Sequence, residues 1–316
     1  MPLPTIDDIH EAAARIKPWL HRTPVLTSSS LNELVGAHLW FKCENFQKTG
    51  AFKARGATNA VFQLDEAEAK RGVATHSSGN HGAALSLAAR WRGTPVHVVM
   101  PENSSAVKLR AVSAYGGKIV TCAPTVASRE ETLARVLQET GAVYIPPYNH
   151  PQIIAGQGTA ALELLEEVPE LNIVMAPVGG GGLLSGTALT VSALRPEIKT
   201  WGAEPLMASD AFQSLQSGQI MPVQSTTTIA DGLRTSLGDL TFAVIQKHVA
   251  KILTVNEEDI VRAMRLFWER MKLVVEPSGA VPLAAVMAHK EELAGKRVGL
   301  ILSGGNVDLD RLPWNA

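Results

Sequence analysis

Cysteine is nearly absent: Cys43 and Cys122 are the only two in 316 residues. Two thiols cannot build a disulfide framework, and neither stands in a Cys-x-x-Cys or Cys/His cluster that holds zinc, so both read as buried or indifferent thiols of a reducing compartment. An excess of either charge is also missing, since 29 lysines and arginines meet 30 aspartates and glutamates for a formal charge of −1. Without a surplus positive field, nucleic acid and anionic membrane are poor partners. The opening MPLPTIDDIHEAAARIKPWL lacks a basic segment followed by an apolar run, and no stretch elsewhere approaches about 18 uninterrupted apolar residues. A cytoplasmic location is expected. Internal repeats and a serine- or proline-rich linker are missing too. The length favours two lobes, so a second lobe must be inserted or interwoven, with the chain crossing between lobes more than once.

What is present is the composition of an ordinary folded protein, 46% hydrophobic and 19% charged, which fits an enzyme or a small-molecule binding protein equally well. Short β-rich runs alternate with longer segments of helical period, the pattern of parallel strands joined by crossover helices, so the expected class is α/β. Strands are expected at 38–43, 73–75, 96–99, 118–122, 173–176, 200–203 and 298–302. Helices are expected at 53–64, 81–91, 105–115, 128–140, 154–166 and 184–194. A further amphipathic helix follows Thr5, whose hydroxyl can cap free N–H groups while Asp7 and Asp8 suit the positive helix end.

Three glycine-bearing loops each follow an expected strand and open a helix, where free N–H groups and the helix dipole favour anions. In PVGGGGLLSG, Gly179, Gly180, Gly181 and Gly182 lack Cβ atoms, so a phosphate can approach the backbone closely. The loop has no Gly-Lys-Ser/Thr ending, and a Rossmann spacing would need glycine at Leu184 or Ser185. A monophosphate-bearing cofactor fits better, with a tight strand-to-helix turn as the plain alternative. In HSSGNHG, residues Ser77, Ser78, Asn80 and His81 group hydroxyls, an amide and backbone donors at a helix start, which suits a carboxylate or simple capping. In QKTGAFKARG, Lys53 stands beside apolar Phe52 at a helix start, where desolvation and the dipole both lower an amine's pKa and favour a nucleophile. A lysine of this kind with a phosphate cradle points to a carbonyl cofactor held as a Schiff base, and pyridoxal 5'-phosphate supplies both the aldehyde and the phosphate.

QKTGAFKARGA, SSGNHG, PVGGGGLLSG, VEPSGA and LSGGNVD occur here in one order. In that order the chain resembles the fold-type II pyridoxal-phosphate enzymes, and among them the serine racemase and serine/threonine dehydratase family, which includes threo-3-hydroxyaspartate dehydratase. The likeness runs from HRTPVLTSSSLN to LSGGNVD and covers nearly the whole chain. It implies a tryptophan-synthase-β-like fold of two open twisted α/β lobes with the cofactor between them. Residues 1–49 and 151–316 would form the large lobe, and residues 50–150 a small lobe that closes over substrate.

The resemblance also implies roles. Lys53 would carry the cofactor and remove the Cα proton of the substrate. Gly179, Gly180, Gly181, Gly182 and Leu183 would hold the phosphate, Asn80 would bond the ring oxygen and Phe52 would flank the ring. Ser303 would face the pyridine nitrogen, a neutral partner that leaves the ring a weaker electron sink and favours prompt β-elimination over transamination. Gly232 would let the chain pass close to the ring, and Glu276 would order the pocket or serve as a helix-start carboxylate. Ser77, Ser78, Asn80 and His81 would hold the substrate carboxylate, with Ser78 on the ring face opposite Lys53, which keeps racemisation open. Glu204, the Ala208 carbonyl and Asp210 would bind a divalent cation, Mg2+, Ca2+ or Mn2+, since hard oxygens suit such ions.

Arg129 aligns with an arginine that racemases aim at the active site. Its fork could take the second carboxylate of 3-hydroxyaspartate, or it could pair on the surface with Glu130 or Glu131. Tyr148 and Asn149 depart from the racemase pattern, so a different pocket wall is expected there. The expected activity is dehydration and deamination of serine, threonine or 3-hydroxyaspartate to a 2-oxo acid and ammonia, with amino-acid racemisation as the alternative. A β-replacement enzyme is disfavoured, because those relatives carry NPTGS- and TSGNTG-type loops. A protein that has lost catalysis is disfavoured by Lys53, Ser78 and Ser303. A homodimer is implied, and TSSSLN with Lys48 leaves a nucleotide effector open. With thirteen residues after Ser303, a C-terminal amino-acid-sensing domain is not expected.

Overall fold

The computed structural model describes residues 2–77, 79–104, 106–225 and 227–314. The strands among them are β1 (Val25–Leu26), β2 (His38–Cys43), β3 (Val73–His76), β4 (Val96–Pro101), β5 (Lys118–Cys122), β6 (Val143–Tyr144), β7 (Ile173–Pro177), β8 (Lys199–Pro205), β9 (Val249–Val255) and β10 (Arg297–Leu302). The first helices are α1 (Ile6–Ile16), α2 (Ser29–Val35), α3 (Lys53–Phe62), α4 (Glu66–Arg71), α5 (Asn80–Arg92), α6 (Ala106–Ala114) and α7 (Val126–Thr140). They are followed by α8 (Pro151–Glu167), α9 (Gly182–Leu194), α10 (Asp210–Ser217), α11 (Asp239–His248), α12 (Glu257–Leu266) and α13 (Pro277–Ala288). Every expected strand and helix is present, with ends displaced by at most three residues. Local signals set several of those ends. Thr5 and Asp8 form a reciprocal capping box at α1, and Pro151 opens α8 where its missing N–H costs nothing.

Strands β1, β6 and β9 were not expected. Two residues each in β1 and β6 are too few to show a period. Helix α13 was missed for the opposite reason: PSGAVPLAAVMA is buried along most of its length, so it carries no polar face to mark it.

Two sheets organise these elements. One has the order β1-β2-β10-β7-β8-β9, parallel except for β1, and the other the order β5-β4-β3-β6, wholly parallel. The smaller sheet comes from the chain between β2 and β7, whereas the larger one joins segments from both sides of it. Strand β10 lies between β2 and β7, so the last strand brings Ser303 beside the loop after β2: Phe52 N donates to Ser303 O at 2.9 Å. Helices cover both faces of the larger sheet, and β7 is accordingly buried at every position.

Helix α8 crosses α3 and α9 with backbone touching backbone. A Cβ on Gly156 would stand 2.6 Å from the Gly56 Cα, and one on Gly186 would stand 2.5 Å from the Gly158 N. No side chain fits at either crossing, so α3 and α9 are held at fixed positions against one helix. A buried ion cluster clamps the first crossing. The Arg55 Nε and Nη2 donate to the Glu44 carboxylate at 2.7 and 2.8 Å, Nη1 and Nη2 donate to Glu163 at 2.8 Å each, and Nη1 also donates to the Thr159 hydroxyl at 3.1 Å. Lys42 adds its ammonium to Glu163 at 2.5 Å and to the Thr23 carbonyl at 2.6 Å. Burial alone would raise the Glu163 carboxyl, but hydrogen bonds and charge from Arg55 and Lys42 hold it below its ordinary range.

Removing one member of a buried, fully bonded cluster leaves its partners charged and dry, at a cost of about 3 to 5 kcal/mol. Arg55→Met is therefore expected to lower the urea midpoint by that much stability, and an unchanged midpoint would show that the cluster carries no load.

Candidate active site

A cavity of about 160 Å³ opens beyond the C-terminal ends of β3, β7 and β10, where ligands of open α/β sheets bind. Phe52, Lys53, Ser77, Asn80, His81 and Arg129 line it together with the four glycines, Leu183, Gly232, Glu276 and Ser303. Residues far apart in sequence are thus brought to one space. Ser78 lies outside the described residues, and the proposed cation ligands lie outside the cavity lining.

Lys53 is the first residue of α3, and its amine donates to the Pro147 carbonyl at 2.5 Å. Burial pushes the amine down to about 8. A neutral fraction is then present near neutrality, as a nucleophile and base requires. The amine also sits 5.1 Å from the centroid of the Phe52 ring.

The glycine loop follows β7, and Gly181 adopts φ +88° just before α9 begins. Tyr148 covers the loop: a Cβ on Gly180 would stand 2.3 Å from the Tyr148 ring. On another side Gly179 meets Leu233, where a Cβ would stand 2.8 Å from the Leu233 Cα. A 13-residue helix whose leading N–H groups have no intrahelical partner, entered through residues with no room for side chains, fits a phosphate group. The residues present therefore suit a cofactor that carries both a carbonyl and a phosphate.

The cavity wall facing α5 is a chain of amides and a carboxyl. Asn306 Nδ2 donates to Asn80 Oδ1 at 2.9 Å, and Asn80 Nδ2 donates to Glu276 Oε1 at 2.8 Å. Glu276 occupies the N-cap of α13 without capping it, because its side chain turns to Asn80. The plain helix-start reading does not hold for this residue. Burial, with the Asp231 charge, pushes its carboxyl up to about 8. Gly232 N donates to the Ser278 hydroxyl at 3.1 Å, which fixes that loop against α13. Ser303 is buried at the end of β10.

On the α5 side, the Ser77 hydroxyl accepts from Gly79 N at 3.2 Å and Gly82 N at 3.1 Å, so it shapes the turn that presents the helix start. His81 is fully enclosed, and burial pushes it down to about 3, which keeps it neutral. With Nε2 3.0 Å from the Ile145 carbonyl, the proton belongs on that nitrogen. Among the described residues Arg129 makes no ion pair with Glu130 or Glu131; its Nε reaches only the Thr125 carbonyl, at 3.4 Å.

Glu204 ends β8 and accepts N–H groups of Ala211 and Phe212 at 2.9 and 2.8 Å, while both Asp210 oxygens are buried without a partner among the described residues. Burial pushes Glu204 well up and Asp210 up to about 7. No cluster of three His, Cys, Asp or Glu is found there or elsewhere among the described residues. Two carboxylates and the buried Ala208 turn are the available oxygens, and the unpartnered Asp210 fits a cation.

Several features had no sequence signal. Lys108 on α6 pairs with Asp231 across the cavity mouth, the Pro147 carbonyl meets Lys53, and Tyr148 lies on the glycine loop. A second cavity of about 600 Å³ shares Gly79, Asn80, Lys108 and Asp231 with the first. Asn149, noted as a departure, serves helix α11: its Oδ1 accepts from Leu240 N at 3.1 Å.

Because the native Glu276 carboxyl keeps a proton that an unfolded one releases near pH 4.3, its contribution to stability is present at low pH and lost as pH rises to about 8. The melting temperature of the cofactor-free protein should fall between pH 5 and 8, and Glu276→Gln should flatten part of that slope. An equal slope in the variant would show that Glu276 ionises normally.

Comparison with known proteins agrees with this geometry. A family model described as pyridoxal-phosphate dependent enzyme matches residues 16–304. The β-hydroxyaspartate dehydratase of Paracoccus denitrificans (strain Pd 1222) is 54% identical over 315 residues, covering 100% of both chains. A serine racemase of Dictyostelium discoideum is 49% identical, covering 98% of this chain and 96% of its own. The solved structure of maize serine racemase superposes with a TM-score of 0.96 at 48% identity, covering 99% of this chain and 97% of that one. With a lysine and a four-glycine loop lining one cavity, and a family match across most of its length, the chain belongs to the pyridoxal-phosphate-dependent enzymes.

Proposed function

We propose that the protein is an ammonia-lyase that dehydrates a β-hydroxy amino acid to a 2-oxo acid and ammonia, with 3-hydroxyaspartate its preferred substrate. One observation carries the choice of substrate: Arg129 shares the cavity with Lys53 and has no carboxylate partner among the described residues. A guanidinium left free beside the reacting lysine suits a substrate with a second carboxylate. The name of the Paracoccus denitrificans relative points the same way.

Pyridoxal phosphate, when bound, supplies an aldehyde carbon for the substrate amine and a conjugated ring that withdraws electrons from Cα. The chain supplies the rest. Gly179, Gly180, Gly181, Gly182 and Leu183 hold the phosphate on α9, Asn80 and Phe52 orient the ring, and Ser303 gives the ring nitrogen a neutral partner. Ser77, Asn80, His81 and the helix start of α5 hold the α-carboxylate. Lys53 takes the Cα proton on its neutral amine, helped by its lowered pKa. The resemblance gives Ser78, which lies outside the described residues, the role of returning a proton in a racemase; the racemase names among the relatives make that the second activity to assay.

The lobe of residues 50–150 closes over substrate against the remainder, with Lys108 and Asp231 meeting across the mouth. Glu204, Ala208 and Asp210 hold a divalent cation, supported by the unpartnered Asp210 oxygens. A homodimer and a nucleotide effector complete the reading; the larger cavity beside Asn80, lined by Thr49, Tyr115 and Asn306, has the volume for an effector. No helix among the described residues is long and apolar enough to cross a membrane.

The decisive assay measures oxo acid and enantiomer from L-serine, D-serine, L-threonine and the four 3-hydroxyaspartate isomers. A 3-hydroxyaspartate isomer should give the highest kcat/KM for oxo-acid release, and Arg129→Ala should reduce it about 100-fold, the worth of a charged pair, with little effect on serine. Equal losses on both substrates would remove Arg129 from substrate recognition. For the cation, millimolar Mg2+ should raise the melting temperature of the wild type and leave that of Asp210→Asn unmoved; a wild type indifferent to Mg2+, Ca2+ and Mn2+ would refute the site.

A further inference from the structure

Residues 145–150, IPPYNH, cross from the smaller sheet to the larger one. Ile145 N donates to the Ala74 carbonyl at 2.9 Å, and the Ile145 carbonyl accepts the His81 Nε2–H at 3.0 Å. Tyr148 covers Gly180, Asn149 Oδ1 accepts from Leu240 N at 3.1 Å, and His150 Nδ1 accepts from Gln152 N at 3.2 Å at the start of α8. The segment is anchored along its length. Pro146 and Pro147 have φ fixed by their rings, which stiffens the backbone between those anchors. From this rigid strap the Pro147 carbonyl takes the Lys53 amine at 2.5 Å.

We infer that the Pro147 carbonyl positions the Lys53 amine in the half of the reaction in which that amine is not bonded to the cofactor, holding one N–H so that the nitrogen lone pair keeps a fixed direction for proton transfer. The inference rests on the proposed assignment of Lys53 as the cofactor lysine. A carbonyl accepts and never donates, so it holds the neutral amine and the ammonium alike. When the lone pair takes the Cα proton, a third N–H bond forms and the C–H electrons stay on Cα. The new positive charge strengthens the bond to the carbonyl, so proton transfer is favoured by the contact that orients it. Pro147 is a positioning residue in this scheme and His81 supports it through Ile145.

The surroundings leave Lys53 free to titrate on its own account. His81 and His76 are held low by burial and Tyr148 is pushed up by it, Lys108 is paired with Asp231, and Arg129 also faces the cavity. Glu276, pushed up to about 8, is the group whose titration overlaps.

The sequence contains a single Pro–Tyr pair, Pro147–Tyr148, so protein labelled with 13C at proline carbonyls and 15N in tyrosine gives one coupled signal from this peptide. In the holoenzyme saturated with aminooxyacetate, which bonds the cofactor carbon in place of Lys53, that carbonyl shift should follow pH in a single titration. It should be flat in Lys53→Met and still titrate in Glu276→Gln. A second measurement weakens the acceptor: replacing Tyr148 by its α-hydroxy acid turns the Pro147 carbonyl into an ester, and the Tyr148 N–H lost has no hydrogen-bond partner among the described residues. The acid limb of the kcat profile should then move about one pH unit lower, because the ammonium has lost support, with KM little changed. A wild-type carbonyl signal that ignores Lys53, or an ester protein with an unmoved acid limb, overturns the inference. The assignment of Lys53 stands or falls separately, on whether borohydride fixes pyridoxal phosphate covalently to the wild type and not to Lys53→Met.

Discussion

The contact on which the site depends lies below it, where α8 meets α3 and α9 without side chains between them. Gly156 against Gly56 and Gly158 against Gly186 hold the three helices at backbone distance. Helix α3 begins with Lys53 and α9 begins at the glycine loop, so this spacing sets how far the amine stands from that loop. A cofactor with an aldehyde at one end and a phosphate at the other has a fixed length, and a site that moved by an ångström would lose much of its advantage. The Arg55 cluster secures the same crossing from the side, since Glu163 and Thr159 belong to α8 and Glu44 follows β2. Its charges cost desolvation, and full bonding of the guanidinium offsets that cost.

Charge in the cavity is arranged with equal economy. Glu276, the carboxyl that touches Asn80, is pushed up to about 8, and Asp231 is taken by Lys108. Lys53 and Arg129 are left facing a space in which little fixed negative charge remains. In the proposed reading an anionic cofactor and an anionic substrate supply what is missing, and a low-dielectric, helix-lined pocket makes each such pairing count for more than it would in water. The protonated Glu276 can also donate as well as accept, so the amide chain through Asn80 and Asn306 has a partner of either kind at its end.

Much of this was legible from local features. Short loops that open helices announce themselves by composition, and QKTGAFK, SSGNHG and PVGGGG mark a lysine and two helix-opening loops as candidates before any contact is known; Lys53, Ser77, Asn80 and the four glycines then line one cavity. Other features have no local mark. Lys108 is an ordinary helical lysine until α6 comes to lie across from Asp231, and Pro147 is a turn proline until α3 presents Lys53 to its carbonyl. Glu276 looked equally suited to capping α13, and only the approach of Asn80 settled which way its side chain turns.

The amino-acid order alone fixed the kind of chemistry, the parallel α/β architecture and the residues that carry reactive groups, because those follow from side-chain type, hydrophobic period and glycine placement within a few residues of one another. Packing decided the remainder: which charges are paired and which are free, that Asp210 is left without a partner while Glu204 bonds the start of α10, and that one carbonyl meets the lysine amine. Those outcomes depend on burial and on partners that lie from 7 residues away, as for Glu204 and Ala211, to 196, as for Asn80 and Glu276, and desolvation, which sets their energies, exists only once the elements have closed around them.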